Sequence, residues 1–368
     1  MHLHHLRLTN FKNYESFAVD DLAPLNVFVG DNGTGKTNLL DAIHYLSLTK
    51  SAFTHLDARS VRHGTDFFRL EGMFERDGER SVVTCALRPG EKKVFKVNQV
   101  PYERLSEHVG RFPLVLIAPD DTDLIRHGSE GRRRFFDALL SQLDAPYLRA
   151  LMEYNHLLQQ RNRLLKQFAA RHFIDRTLLD AYDEPMLRRG QQIYECRRAL
   201  IDRFVPVFLE NYRHFCDERE EVSLRYTSSW ENPDFAGRFR KTVNDDLQLQ
   251  RTTLGVHRDD YVFGLGDHLM KRYGSQGQQK SFVVALKLAQ FDLMWRETGR
   301  KPLLLLDDVF DKLDDRRIRH LMDRVADQSF GQIFLTDARS ERTEKIFAAL
   351  KTPGRIIRTT FTPLIPSA

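Results

Sequence analysis

The first third of the chain alternates short apolar runs with turn residues, a pattern typical of β-strands. Pairs such as Asp77-Gly78 and Pro89-Gly90 separate the later runs and favour tight turns. The predicted strands lie around residues 6–11, 25–29, 68–74, 82–87 and 94–97. Residues 67–100 are therefore expected to form an antiparallel meander beside the strand that ends at Val29.

The apolar spacing then changes to that of helices. Leu39, Leu40, Ile43 and Leu46 recur at helical spacing, and long helical patterns dominate residues 121–215. From about residue 222, apolar runs alternate with helices, as in a parallel sheet. We predict one sheet domain built from residues 1–120 and 220–368, interrupted by an inserted helical lobe of residues 121–219.

The composition fits a folded protein without export or membrane segments. Of the 368 residues, 41% are hydrophobic, enough for one or two compact units. No run reaches the roughly 18 apolar residues of a membrane helix, and the first residues lack an apolar export region. The three cysteines show no metal-ligand spacing. These features predict a soluble, cytoplasmic protein, and the net charge of +5 favours nucleic-acid binding only weakly.

Residues 28–39 read FVGDNGTGKTNL, which places a GxxxxGK[ST] motif between a predicted strand and a predicted helix. Glycines allow successive backbone N–H groups to point inward and form an anion nest at the positive end of the helix. Lys36 can reach the β and γ phosphates, and the Thr37 hydroxyl can hold Mg²⁺. The predicted phosphate-binding residues are Gly30, Asp31, Asn32, Gly33, Thr34, Gly35, Lys36, Thr37 and Asn38.

A second apolar run, PLLLLDD, ends in two aspartates. The carboxyl ends of strands are where open α/β sheets bind ligands. Asp307 is predicted to bind Mg²⁺ through water, together with Thr37. Asp308 is predicted to act as general base on an attacking water. With Lys36, these two aspartates form the predicted catalytic set.

A third stretch, YGSQGQQKS, precedes an amphipathic helix. Its hydroxyl, glycine and free helix N-terminus can bind an anion, although the same string also fits a plain helix N-cap. Since one nucleotide has little need for two phosphate cradles in one domain, we expect this stretch to contact the γ-phosphate held by a second copy. The residues concerned are Ser275, Gln276, Gly277 and Gln278.

Together these stretches resemble the RecF family of DNA repair proteins, whose ATPase heads belong to the SMC class. The resembling strings also include LRLTNFKNYE, IAPDDTDLIRHGSEGRRRFFD, YNHLLQQRNRLLK and GVHRDD. The resemblance implies an α/β fold: an ABC-type P-loop ATPase head with an antiparallel β meander and an inserted helical lobe. It further implies ATP and Mg²⁺ as cofactors, ATP-dependent homodimers, and loading of the recombination machinery at single-stranded gaps in duplex DNA. RecR and RecO are the implied partners.

Some positions depart from the family pattern. Asp41 stands where Glu is expected and Val256 where Pro is expected. Thr336 or Asp337 stands where a transporter cassette places a switch histidine. Asp308 replaces the longer glutamate of transporter heads, which suggests slow hydrolysis. The resemblance also assigns Lys312-Leu313-Asp314 to a loop beside the dimer interface.

Arginine-rich parts of the helical lobe are candidates for contacts to DNA phosphates, which position a protein without reading bases. An alternative for each residue is an ion pair with a nearby acid such as Asp137 or Glu153. The candidates are Arg132, Arg133, Arg134, Arg161, Arg163 and Lys166.

Two other functions remain open from the sequence. One is the ATPase subunit of a transporter or of another SMC-like complex, since these proteins also combine a P-loop with a signature stretch before a helix. This function is disfavoured by the missing switch histidine, by the helical insert and by the sequence SQGQ at the signature position. The other is a scaffold that binds ATP without hydrolysing it.

Overall fold

This computed structural model describes residues 1–171, 173–215, 220–309, 315–326, 329–339 and 353–360. The chain divides into two units, Met1–Asp121 with Lys280–Ala368, and Thr122–Gln279. Among the described residues, no helix combines the length and the apolar character needed to cross a membrane.

The first unit begins with most of the strands. Its elements before residue 121 are β1 (His2–Phe11), β2 (Tyr14–Val19), β3 (Leu25–Val29), α1 (Lys36–Leu48), β4 (Phe68–Arg76), β5 (Glu79–Leu87), β6 (Val94–Val97), β7 (Val100–Pro101) and β8 (Leu114–Ile117). The second unit contributes α2 (Asp123–Arg126), α3 (Ser129–Leu143), α4 (Ala145–Arg171), α5 (Arg176–Phe215), β9 (Val222–Thr227), α6 (Phe235–Lys241), α7 (Val243–Leu249), β10 (Asp260–Leu265), β11 (His268–Leu269) and α8 (Met270–Tyr273). The remaining elements are α9 (Gln276–Thr298), β12 (Leu303–Leu306), α10 (Asp315–Ala326), β13 (Ile333–Asp337) and β14 (Gly354–Arg358).

A parallel sheet forms one layer of the first unit, with the described strands in the order β14-β3-β13-β12-β8. Leu303 to Leu306 are fully buried, because both faces of such a sheet are covered. All these strands run in the same direction, so the loops after β3, β12 and β13 meet at one edge. The motif residues that follow β3 and β12 are therefore brought together on either side of β13.

An antiparallel sheet of order β2-β1-β4-β5-β6-β7 supplies the second layer of this unit. It confirms the predicted meander, whose strands pair in register from Phe68 opposite Leu87 to Arg76 opposite Glu79. The apolar face of α1 packs into the same core, where Leu39, Leu40 and Ile43 are fully buried. This burial fixes the direction of α1, and with it the position of the loop that precedes the helix.

The second unit extends to Gln279, whereas the predicted helical lobe ended at residue 219. The difference arises because the small sheet β11-β10-β9 packs on α3 and α5 of the same unit. The Phe136 and Tyr261 rings stack with centroids 4.0 Å apart, joining α3 to β10. Strands that follow the helical region in sequence thus share its core.

Candidate nucleotide-binding site

The loop after β3 curls through two left-handed glycines. Gly33 has φ 86° and Gly35 has φ 99°, a region that residues with a Cβ rarely adopt. A Cβ at Gly35 would lie 2.4 Å from Asn13 Nδ2, so a larger residue is also excluded by space. The Thr34 hydroxyl donates to the Asp31 carbonyl at 2.8 Å and closes the curl. These contacts produce the P-loop shape that the motif predicts.

Lys36 opens α1 and folds back over the loop that precedes it. Its ammonium group donates to the Gly30 carbonyl at 2.8 Å and to the Asp31 carbonyl at 3.0 Å. The residue is 5% exposed. The cation is therefore held against the backbone of the loop, where an anion bound by that loop would meet it.

Asp307 follows β12 and contacts the P-loop helix directly. The Thr37 hydroxyl donates to both carboxylate oxygens of Asp307, at 2.9 and 3.0 Å. The strand that carries Asp307 is fixed on its other side, since the Asp307 N–H donates to the Ile117 carbonyl of β8 at 2.9 Å. Two residues far apart in the sequence thus bring their side-chain oxygens together.

Burial raises the pKa of Asp307 above its ordinary value, while hydrogen bonds from Thr336 and Thr37 act in the opposite direction. The residue is only 3% exposed. A hydroxyl beside a buried carboxylate fits Mg²⁺, which keeps several waters and takes one or two protein ligands plus phosphate oxygens. Among the described residues, no group of three or more His, Cys, Asp or Glu side chains is placed to hold a metal ion.

Asp308 has a left-handed backbone, with φ 43°. This conformation is uncommon for residues other than glycine, although aspartate tolerates it better than most. The Asp308 N–H donates to the Thr336 hydroxyl at 2.9 Å. Asp308 is half-buried, and it immediately follows Asp307 at the carboxyl edge of the sheet.

The SQGQ stretch forms a reciprocal cap at the start of α9, within the second unit. The Gln278 N–H donates to the Ser275 hydroxyl at 3.2 Å, and the Ser275 N–H donates to the Gln278 side-chain oxygen at 2.8 Å. This is a capping box. Ser275 and Gln276 are exposed, and Gly277 is half-buried. The stretch therefore caps the helix, and its first two residues remain exposed.

Sequence reasoning missed three residues that support the P-loop. Asn13 Nδ2 and the Tyr14 hydroxyl donate to the Thr34 carbonyl, at 3.1 and 3.2 Å. Thr359, which follows β14, places its hydroxyl 2.9 Å from that of Thr34. Asn13 and Tyr14 lie in the string LRLTNFKNYE, whose short polar break between two strands was a usable signal. No comparable signal marks Thr359, because β14 is distant in sequence from the loop.

Two of the positions that depart from the family pattern make defined contacts. Asp41 is fully buried and pairs with Lys12 at 2.7 Å, and it accepts a hydrogen bond from the Ser51 hydroxyl at 2.7 Å. The Val256 carbonyl accepts from Arg197 at 2.8 Å, a contact that does not require proline. The predicted interface loop Lys312-Leu313-Asp314 lies outside the described residues.

The candidate DNA-contacting cations separate into two groups. Arg161 is fully buried and donates to Asp183 and Asp246, each at 2.6 Å. Arg132 pairs with Asp260 at 2.8 Å. The remaining pairings are Arg133 with Ser129 and the Asp259 carbonyl, and Arg134 with Glu130.

Two other candidates, Arg163 and Lys166 on α4, are exposed. The two acids expected to neutralise this region pair elsewhere, Asp137 with Arg197 and Glu153 with Arg189.

Comparison with known proteins gives one consistent family. The model of the RecF/RecN/SMC N terminal domain matches residues 2–353. The chain is 42% identical over 346 residues to the DNA replication and repair protein RecF of Flavobacterium johnsoniae, covering 94% of this chain and 96% of that protein. It is 45% identical over 347 residues to the RecF protein of Cytophaga hutchinsonii, covering 94% and 92%.

A solved structure of the recombination mediator protein RecF-ATPrS in RecFOR pathway superposes with a TM-score of 0.87. It is 26% identical and covers 97% of this chain and 96% of its own. The expected fold, an ABC-type ATPase head with a parallel sheet and an antiparallel sheet, is thereby confirmed. The chain belongs to the RecF family of DNA replication and repair proteins.

Proposed function

We propose that this chain is an ATP-binding, slowly hydrolysing, DNA-binding protein of recombinational repair at single-strand gaps and of replication restart. The observation that carries the proposal is the contact of the Thr37 hydroxyl with the Asp307 carboxylate at 2.9 Å. It joins the phosphate loop to an acid at the edge of the same sheet, as nucleotide hydrolysis requires. The solved relative is named as RecF-ATPrS, and this name supports ATP as the ligand of the present chain.

The residues have separate tasks in this proposal. Thr37 and Asp307 would hold Mg²⁺, which neutralises charge on phosphate oxygens when bound. Lys36 would exchange its contacts with two loop carbonyls for contacts with the β and γ phosphates. Asp308 would accept a proton from the attacking water. Its short side chain gives it less reach than a glutamate, so we expect slow turnover.

The dimer is proposed from the exposed start of α9. Residues Ser275 to Gln278 present a capped helix N-terminus, whose positive end attracts anions. We propose that it contacts the γ-phosphate held by a second copy. ATP would then join two copies, and hydrolysis would release them.

Ser275→Arg is expected to abolish ATP-dependent dimers while ATP still binds to the monomer. The long cationic side chain would occupy the space that the second copy needs, and ATP is held by a different part of the chain. Light scattering with and without ATP measures the association. Because the change also removes the cap, at about 1 kcal/mol, Ser275→Ala is the control and should dimerise more readily than Ser275→Arg. Normal ATP-dependent dimers of Ser275→Arg would contradict the proposed interface.

DNA binding is proposed to use the exposed cations of α4. Arg163 and Lys166 remain available at the surface, whereas Arg161 is committed to Asp183 and Asp246. Contacts of this kind position a protein on the backbone without base selection. Single-stranded, gapped and duplex DNA are the proposed ligands, and RecR- and RecO-like mediators are the proposed protein partners. The RecFOR pathway named for the solved relative supports these partners.

Replacing both Arg163 and Lys166 with alanine should weaken DNA binding uniformly across sequences. Each lost phosphate contact is expected to reduce the slope of log affinity against log salt by roughly one. The double variant Lys92→Ala/Arg104→Ala removes the same charge from exposed positions in the first unit and serves as control. Equal slopes for the α4 variant and the parent would remove this helix from the DNA interface.

Sedimentation with and without ATP tests the function as a whole. We expect monomers without ATP, dimers with ATP, and dimers that sediment with gapped, duplex or single-stranded DNA. Proteins that bind DNA through counterion release lose affinity steeply as salt rises. A protein that neither dimerises with ATP nor sediments with any of these DNAs would refute the proposal.

A further inference from the structure

The strand β13 lies between β3 and β12 and ends beside both site loops. Thr336 is level with Phe28 of β3, and its neighbour Leu335 is level with Leu306 of β12. Thr336 is fully buried. The sheet therefore places this residue immediately beside Asp307, without exposing it to a ligand.

The Thr336 hydroxyl contacts both aspartates of the site. It donates to Asp307 Oδ1 at 2.8 Å, and it accepts from the Asp308 N–H at 2.9 Å. A hydroxyl has a single donor, so its hydrogen is committed to Asp307. Thr37 also donates to this carboxylate, at Oδ1 and Oδ2. Asp307 thus accepts hydrogen bonds from two threonine hydroxyls.

The same hydroxyl supports an unusual backbone. Asp308 has φ 43°, and its N–H is directed to Thr336. Backbone strain at a functional position persists only where surrounding contacts stabilise it. Loss of this acceptor would leave the Asp308 N–H without that partner and would weaken the conformation that sets the direction of its side chain.

We propose that Thr336 is the positioning residue of the metal and water site: its one hydroxyl orients the Asp307 carboxylate toward Thr37 and fixes the Asp308 backbone. The inference rests on the proposed ATPase function. In this role Thr336, on β13, acts through Asp307 and Asp308. A γ-phosphate sensor would instead contact the nucleotide itself. Groups that orient a metal ligand typically affect metal affinity or activity by about 10- to 100-fold.

The test compares Thr336→Val with Thr336→Ser. Valine preserves the shape and removes the hydroxyl, whereas serine retains the hydroxyl. Mn²⁺ affinity in the presence of a non-hydrolysable ATP analogue is measured by electron paramagnetic resonance. We expect Thr336→Val to weaken Mn²⁺ binding by about 10-fold or more and to lower kcat for ATP. Thr336→Ser should stay close to the parent in both, and metal-free binding of the analogue should change little in either variant.

Thr84→Val in β5 makes the same substitution away from the site and should match the parent. Thermal unfolding is recorded for every variant, and Thr336→Ala replaces Thr336→Val if valine does not fold. The inference about Thr336 would be overturned if Thr336→Val bound Mn²⁺ like the parent, or if the serine and valine variants lost the same amount of Mn²⁺ affinity. Either result would leave the proposed function standing. A parent protein that fails to bind the ATP analogue would instead overturn the proposed function, and this inference with it.

Discussion

Lys36→Met is expected to lower ATP affinity by about 100-fold, because a hydrogen bond to a charged group contributes up to about 3 kcal/mol. The ammonium group lies against the Gly30 and Asp31 carbonyls, at the inner side of the P-loop. Methionine preserves much of the length of the side chain and removes its charge. The core beneath α1 is formed by Leu39, Leu40 and Ile43, so the fold should be retained.

Binding of a fluorescent ATP analogue measures this effect, and circular dichroism verifies the fold. Lys92→Met serves as a matched control, since Lys92 is exposed and lies between β5 and β6. It should bind the analogue like the parent. Undiminished affinity in a folded Lys36→Met protein would exclude the P-loop as the phosphate site.

Asp308→Asn is expected to slow ATP hydrolysis by about 10²- to 10³-fold, within the range of a positioned general base. The amide cannot accept the proton from water. Asparagine also tolerates a left-handed backbone, so the φ of 43° can be kept. ATP binding and ATP-dependent dimers should persist, because Lys36, Thr37 and Asp307 are unchanged.

Phosphate release from parent and variant provides the measurement, and it distinguishes an enzyme from an ATP-binding scaffold. Asp267→Asn, an exposed aspartate between β10 and β11, controls for the loss of one negative charge. The scaffold interpretation predicts that neither the parent nor Asp308→Asn releases phosphate above background. Equal, measurable rates would show that Asp308 is not the base.

The helical lobe shows which features can be inferred from the helical spacing of apolar residues. Arg161 shares a helical stripe with Leu164, Leu165 and Phe168, all of them buried, so its burial could have been inferred from the spacing. Arg163 lies off that stripe and is exposed. The identity of the acids that neutralise Arg161 could not have been inferred. Asp183 and Asp246 come from α5 and α7, and only packing brings them to α4.

The boundary of the lobe illustrates the same limit. Sequence patterns distinguish strands from helices, because side chains repeat every two residues in one and about every 3.6 in the other. They do not say which core a strand joins. The strands β9 and β10 follow the long helices and pack on α3 and α5, so they share the second unit.

The P-loop, the acidic end of β12 and the capped start of α9 could each be inferred from the amino-acid sequence alone. Each depends on residues close together in the chain, whose backbone conformations and hydrogen bonds are local. The folded chain was needed to show that Thr37 contacts Asp307, that Asn13 and Thr359 support the loop, and that Thr336 hydrogen-bonds to both aspartates. These contacts depend on strand order, because β13 separates β3 from β12, and strand order arises from packing between distant segments of the chain.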